Sequence, residues 1–362
     1  QIPKFIAPFN VNPDRPIKNI PRTRVQFGYS LLNRVDFFWL NSFNTSFGYM
    51  WSETVDKRHE LNPISINYVR LGSTSPRFDS ILDRNPILRR SFEEQLIFGS
   101  NYTFFFNDQL KEERIHNFYF MGNLDIAGNF IYLIQSLAAN NFASPEDPHG
   151  ILRRPYSQFA RGEADFRHYY RPSPKTRLVS RLLVGTGFAY GNTNTLPYIK
   201  QFFIGGANSL RAFPPRSLGP GAYRAEISED RQVLFLDQVG DIKIEGNVEY
   251  RFPIISVLKG AVFVDAGNIW TYRPNESLRN PITDEIEGVF LIDNFYNEIA
   301  AGTGAGLRLD ASFFVLRLDL GVPIRKPWLL ENERWVMEDI SFGNPVWRRD
   351  NLVLNIAIGY PF

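Results

Sequence analysis

Between Asp241 and Phe252 an ionisable or amide side chain recurs at every second position. Asp241, Lys243, Glu245, Asn247, Glu249 and Arg251 share one face of an extended chain; Ile242, Ile244, Val248, Tyr250 and Phe252, with Gly246, share the other. Asp265, Asp319, Arg308 and Arg317 fall on the same wet face by strand parity. A guanidinium in a confined, partly desolvated space needs a carboxylate partner, preferably a bidentate one. The chemistry on offer is therefore ion pairing. The four histidines, His59, His116, His149 and His168, show no metal-ligand spacing, and His168 falls on the apolar parity. Gly302, Gly304 and Gly306 in GTGAG share one face of a strand, but the spacing is not that of a nucleotide loop and no helix follows. Side-chain-free positions on that face make room for something inserted. No catalytic residue, metal or cofactor is expected.

Stepping along the chain, thirteen candidate strands lie near 1–8, 22–33, 38–52, 61–72, 95–107, 114–127, 157–171, 175–190, 241–253, 258–271, 298–310, 312–323 and 350–362. Alternation recurs in them. Val25, Phe27, Tyr29 and Leu31 oppose Arg24, Gln26, Gly28 and Ser30, and Arg161, Glu163, Asp165 and Arg167 form another charged row. Connections alternate in length. Asn107–Glu112, Pro172–Lys175, Pro253–Val257 and Asp310–Ala311 are short; 73–94, 128–156, 191–240, 272–297 and 324–349 are long. Two stretches break this rule, 9–21 being long and 34–37 short. Short turns at one end and long loops at the other are the asymmetry of outer-membrane barrels.

Composition agrees. Aromatics make up 15%, as interface girdles require, and no apolar run of 18 residues offers a transmembrane helix. The net charge of +2 gives no electrostatic case for nucleic acid. No cysteine is present, which removes disulfides and thiol chemistry. No signal peptide is visible, so the chain is expected to be mature or partial. Helical spacing predicts short loop helices over Pro76–Asn85, stopped by Pro86, and over Phe130–Asn140, both packing over the barrel mouth.

The longest connection, 191–240, holds Gly205, Gly206, Gly219 and Gly221 with Pro214, Pro215 and Pro220 around Leu210-Arg211-Ala212-Phe213. Glycines allow close approach and prolines stiffen, so the loop should fold back onto the body. At the end of the chain Leu352, Leu354, Ile356, Ile358, Tyr360 and Phe362 share one face. This run resembles the closing strand of an outer-membrane barrel, which must pair in lipid, with Gly359 its weak point; an ordinary buried last strand is the alternative.

The loop resembles the sixth extracellular loop of the BamA/TamA superfamily, whose hallmark is Val/Ile-Arg-Gly-Phe/Tyr; here Ala212 replaces the glycine. A second family motif, Phe-x-Asp-x-Gly, stands at Phe263, Asp265 and Gly267, and EYRFPI, GAGLRLD and VLRLDLGVP are similar to the family's last strands. The likeness covers about 198–362 most strongly, and GGANSLRAFPPRSLGPGAY is closest to the lipoprotein-anchored TamL branch. The resemblance implies an all-β, antiparallel transmembrane barrel of sixteen strands, with the motif loop between the eleventh and twelfth. Residues 1–362 would be the C-terminal barrel domain of a longer protein, its first three strands and POTRA repeats lying outside the chain.

In the family the loop enters the lumen and its Arg pairs with acids on the wall. For Arg211 this implies Asp265, with Glu245, Glu249 or Asp319 as second candidates. The implied activity is insertion or export of unfolded envelope proteins through a laterally opening barrel in the outer membrane of a Gram-negative bacterium. Ile358, Gly359, Tyr360 and Phe362 would form the gate, and outer-membrane lipid and a TamB-like periplasmic protein the partners. A passive pore and a barrel enzyme are the alternatives.

Overall fold

The structure, a computed structural model, describes residues 2–3, 21–35, 37–84, 86–111, 114–139, 143–145, 147–151, 154–224, 238–279, 285–311 and 314–362. Twelve strands of six residues or more dominate it: β1 (Arg22–Arg34), β2 (Phe38–Ser52), β3 (Lys57–Thr74), β4 (Gln95–Asn107), β5 (His116–Ala127), β6 (Phe159–Ser173), β7 (Thr176–Ala189), β8 (Ile242–Ile255), β9 (Leu258–Trp270), β10 (Ala300–Asp310), β11 (Val315–Arg325) and β12 (Val353–Ile358). They are hydrogen-bonded in chain order, and a two-residue strand, Ile2–Pro3, lies beside Thr23 and Arg22 of β1. The two ends of this order do not pair among the described residues, so the sheet is not closed. The remainder of the candidate strand 1–8, and nearly all of the long connection 9–21, lie outside the described residues. The chain divides into two compact units, Gln1–Asn107 with Phe120–Ala164 and Thr186–Gln201, and Asp108–Tyr119 with Asp165–Gly185 and Phe202–Phe362.

In the first unit β1 to β4 form an antiparallel run, with Phe27 opposite Thr45 and Phe43 opposite Tyr68. Val25, Phe27, Tyr29 and Leu31 of β1 are all exposed. The 73–94 connection folds into two helices, α1 (Pro76–Arg84) and α2 (Pro86–Phe92). Pro86 thus does more than stop the first helix. Its missing N–H and fixed φ suit the first turn of the next one. Phe78 and Phe92 are buried and meet Phe38 at ring-centroid distances of 4.9 and 4.8 Å, and Phe92 stacks on Tyr198 at 4.2 Å. A third helix, α3 (Asn129–Ala139), follows β5.

In the second unit β8 to β12 form antiparallel pairs with period-two alternation intact. Val248, Val264, Leu307, Leu320 and Ile356 are exposed, whereas Glu245, Glu249, Asp265, Arg308, Arg317 and Asp319 are fully buried. That is the reverse of a water-soluble sheet, which buries its leucines and exposes its charges. A sheet with lipid on one side and a polar interior on the other has this pattern.

The closing strand is shorter than the alternation suggests. Residues 345–351 form a helix, α4 (Pro345–Asn351), because Pro345 sits at its start and Asn344 Oδ1 caps the Val346 N–H at 2.9 Å. Strand pairing then covers only Val353–Ile358. Gly359 still donates its N–H to the Val315 carbonyl at 2.8 Å, and its left-handed φ of +89° then turns the chain out of the ladder. Phe362 is consequently not on the outer face with Leu354, Ile356 and Ile358. It is buried beside Tyr169 and Val179, with Tyr119 packed against them, and its carbonyl accepts a hydrogen bond from Arg251 Nη2 at 3.2 Å.

Candidate functional site

The loop after residue 201 is tied at its neck by a reciprocal pair, Phe202 N–H to Gly240 O at 2.8 Å and Gly240 N–H to Phe202 O at 2.9 Å. Gly205 and Gly206 have φ of +96° and +94°, and a Cβ on Gly205 would collide with the Pro214 carbonyl. This double turn sends the chain inward. Phe202, Ile204, Leu210, Ala212, Phe213 and Leu218 pack with Ile269 and Ala300 into a buried apolar cluster. The cluster fixes the position of the charged residue between Leu210 and Ala212.

That residue, Arg211, is fully buried. Its Nε and Nη2 donate to the two oxygens of Asp265 at 2.9 and 2.8 Å, and its own backbone N–H donates to Asp265 Oδ2 at 3.0 Å. Nη1 donates to Glu249 Oε2. The guanidinium lies over the Phe263 ring, 3.6 Å from its centroid. Asp265 also accepts from Asn247 Nδ2 at 3.0 Å. A planar, delocalised cation satisfies a bidentate carboxylate and an aromatic face at once, which an ammonium cannot do.

Register explains the spacing of the Phe263, Asp265 and Gly267 motif. In β8 and β9, Phe263 stands opposite Glu249, Asp265 opposite Asn247 and Gly267 opposite Glu245. Phe263 therefore supplies the ring, Asp265 the carboxylate, and Gly267 a gap, since a Cβ there would lie 3.1 Å from Ile204 of the loop and closer still to the Ile244 carbonyl. On the other side, Gly302 faces Asp265 and Gly304 faces Phe263 across β9 and β10, while Gly306 faces Asp319 across β10 and β11. Each glycine yields to a large neighbour: Gly304 to Phe263, Gly306 to the Asp319 carboxylate and Gly302 to the methyl of Ala212. The alanine that replaces the hallmark glycine thus occupies space left by Gly302. Gly321 admits the Arg211 carbonyl, which lies 2.7 Å from where its Cβ would be.

Around this pair lies a wider charged network. Glu249 also accepts from Arg251 Nε at 2.6 Å and Arg308 Nη2 at 3.2 Å. Arg308 reaches Asp319 at 2.5 Å, and Arg317 Nε lies 3.3 Å from Asp319. Asp319 itself is 3.9 Å from Arg211 Nη1, an outer member rather than a direct partner. Arg317 Nη2 donates to loop atoms, Ala207 O at 2.8 Å and Asn208 Oδ1 at 2.6 Å. Glu245 does not pair with Arg211. It accepts from Arg181 at 2.8 Å and from Ser209 Oγ, and Lys243 lies 2.8 Å away. Glu245 and Glu249 share a face but stand four residues, or ~13 Å, apart along a strand.

Two contributors carried no prior signal as site residues. Asn247 is the one neutral polar residue in the charged row of β8 and bridges Asp265 to the Ser209 carbonyl at 3.1 Å. Asn355 of β12 donates to the Arg211 carbonyl at 2.9 Å, so the closing strand's inner face is attached to the loop. Tyr360 lies outside the ladder, and the Arg251 guanidinium stacks on its ring at 4.4 Å. His116 Nδ1 and His168 Nε2 are 3.0 Å apart in an aromatic stack with Phe118 and Tyr170. Among the described residues no three His, Asp or Glu side chains are grouped to hold a metal ion. The arrangement holds a loop.

Residues 155–338, just over half of the chain, match the Omp85 superfamily domain. The outer membrane protein assembly factor BamA of Neisseria meningitidis is 24% identical over 156 residues, which is 40% of this chain and 19% of that protein. The crystal structure of BamA from Haemophilus ducreyi lacking POTRA domains 1–3 superposes with a TM-score of 0.59 at 12% identity, covering 85% of this chain and 58% of that one. CdiB from Acinetobacter baumannii gives a TM-score of 0.45 at 14% identity over 89% of this chain and 42% of its own. The chain thus spans about a fifth of the curated relative and somewhat over half of the first structural one.

Proposed function

This chain belongs to the Omp85 superfamily, and from that premise we propose that it is the barrel part of an outer-membrane machine that inserts or exports envelope proteins. The observation that carries this is the buried Arg211–Asp265 pair, set in a sheet whose charges face in and whose aliphatic side chains face out. The superfamily relatives include an outer-membrane assembly factor, and their membrane, that of Gram-negative bacteria, is the proposed location. The substrates are unfolded β-strand proteins, and the reading involves no catalytic group, metal or cofactor.

The route is lateral. β12 pairs with β11 over six residues, against ten in each of the two preceding pairs and thirteen between β8 and β9. Fewer ladder bonds make this the weakest junction between β8 and β12, and an exposed edge can template an incoming strand by backbone hydrogen bonding. The wording of the motif loop supports the TamL branch, and with it a lipoprotein anchor and a TamB-like periplasmic partner.

The test is reconstitution of the full-length protein in phosphatidylcholine vesicles, with a urea-unfolded outer-membrane barrel as substrate. Faster appearance of the heat-modifiable, protease-resistant substrate than in protein-free vesicles is expected. No acceleration, combined with steady ion conductance, would replace this reading with a passive pore.

A further inference from the structure

Helix α3 is amphipathic the wrong way round for a loop lying on a water-soluble surface. Phe130, Leu133, Ile134 and Leu137 recur at the i, i+3, i+4, i+7 spacing of a single helix face. All four are exposed, by 50–73%. The polar residues point the other way, into protein. Asn129 Nδ2 donates to Tyr190 Oη at 2.8 Å and Asn129 Oδ1 accepts from Gln158 Nε2 at 3.0 Å. Gln135 Nε2 donates to the Gly150 carbonyl at 3.0 Å, and Ser136 is buried. The apolar side is therefore not folded over the body, contrary to the expectation for this segment.

The helix is also rigidly joined to a strand. Gly128, with φ +81°, makes the turn from β5 directly into α3, and a Cβ there would lie 2.5 Å from the Ser157 carbonyl. Leu124 and Ile126, on the outward row at the end of β5, are exposed by 45% and 36%. The exposed helix face therefore starts within four residues of the exposed strand row. No charged residue occurs between Asn129 and Ala139. An aqueous docking face of this size would ordinarily be ringed by polar groups; this one merges with the row that the proposed function places in lipid.

We propose that α3 is an interfacial helix whose Phe130, Leu133, Ile134 and Leu137 face is embedded in the acyl region of the membrane leaflet beside the long-loop end of β5. Its occupant is lipid hydrocarbon. The polar face, which in a free interfacial helix meets water and headgroups, is here taken up by the protein, and the absence of Lys and Arg makes the contact insensitive to lipid charge. The helix is too short to span and lies along the surface. The proposal rests on the outer-membrane reading, and its test separates the two.

The chain has no cysteine, so single labels can be placed within it once any cysteine elsewhere in the full-length protein is replaced. Leu133→Cys and Leu137→Cys in the full-length protein are labelled with an environment-sensitive fluorophore and reconstituted in phosphatidylcholine vesicles with or without spin-labelled acyl chains. Ile356→Cys, on the exposed face of β12, and Ser80→Cys, exposed on α1, serve as references. Heat-modifiable gel migration selects the folded variants, and either helix position suffices. The helix labels should lose emission to the acyl-chain quencher, as the Ile356 label does, and resist aqueous iodide, which should reach only the Ser80 label. Helix labels quenched by iodide would overturn the proposal. So would labels shielded from both quenchers, which would assign the face to a protein partner or a second copy. If the Ile356 label also escapes the lipid quencher, the membrane reading falls with it.

Discussion

Asn355 Nδ2 donates to the backbone carbonyl of Arg211 at 2.9 Å, joining the last strand to the tip of a loop 144 residues earlier. Asn355 pairs with Asp319 in the ladder, and the guanidinium of the same Arg211 is held by Asp265 and Glu249. The short closing strand and the buried ion cluster therefore meet at Arg211. Loosening one should loosen the other, by the reciprocity of coupled equilibria.

Replacing Asn355 with Leu leaves a buried carbonyl without its donor and should cost about 1–3 kcal/mol. Amide hydrogen exchange in Val353–Ile358 should speed up, and so should proteolysis within the 205–218 loop. Exchange that rises in the strand with the loop unchanged would show that the two are not coupled.

Arg211→Ala leaves the buried Asp265 carboxylate without its cation, while Glu249 keeps Arg251 and Arg308, and is expected to cost about 3–5 kcal/mol. Arg211→Lys should recover only part, because an ammonium cannot bond both Asp265 oxygens while lying flat on Phe263. Arg216, stacked on the half-exposed Phe203 at 4.0 Å, provides the comparison, with an expected cost of about 0.5–1 kcal/mol for Arg216→Ala. The temperature at which the compact gel band is lost measures all three, and equal shifts for Arg211→Ala and Arg216→Ala would contradict the assignment.

Gly302 and Ala212 should behave as a size-compensating pair. Gly302→Ala places its methyl against that of Ala212 and should cost about 1–3 kcal/mol through overpacking. Ala212→Gly in the same chain should recover most of the loss, a coupling that a double-mutant cycle reads directly. Additive losses would mean that the methyls do not meet.

Glu298, in the loop before β10, accepts from Trp270 Nε1 at 2.6 Å, and burial raises its carboxyl pKa above the ordinary glutamate range. A raised acid favours its neutral form in the fold. Its contribution is therefore undiminished below the ordinary glutamate pKa and is lost as pH climbs through the raised value. Thermal unfolding of wild type against Glu298→Gln should show the wild type losing more stability across that window than the variant does. Parallel profiles would place the titration elsewhere.

Much of this was written in the one-dimensional pattern. Strict alternation in Asp241–Phe252 and in Phe314–Gly321 assigns each side chain to a face, because strand geometry has a period of two wherever the chain lies. The same parity in 258–271 and 298–310 sets Asp265 and Arg308 on the inward face with Glu249, Asp319 and Arg317. Parity is silent about position along the strand, so the choice between Glu245 and Glu249 belonged to the tertiary structure. It was made by where the Gly205–Gly206 turn and the apolar cluster around Leu210 and Phe213 deliver the guanidinium. Parity also fails where the backbone leaves the pleat. Alternation runs on to Phe362, but Gly359 at φ +89° turns that ring from the outer face to a buried site beside Val179. The spacing of Phe130, Leu133, Ile134 and Leu137 likewise specifies an apolar helix face, while the direction of that face followed only from the buried partners of Asn129 and Gln135. Local periodicity is a property of the backbone and is legible residue by residue. Which face meets what depends on contacts between segments far apart in the chain.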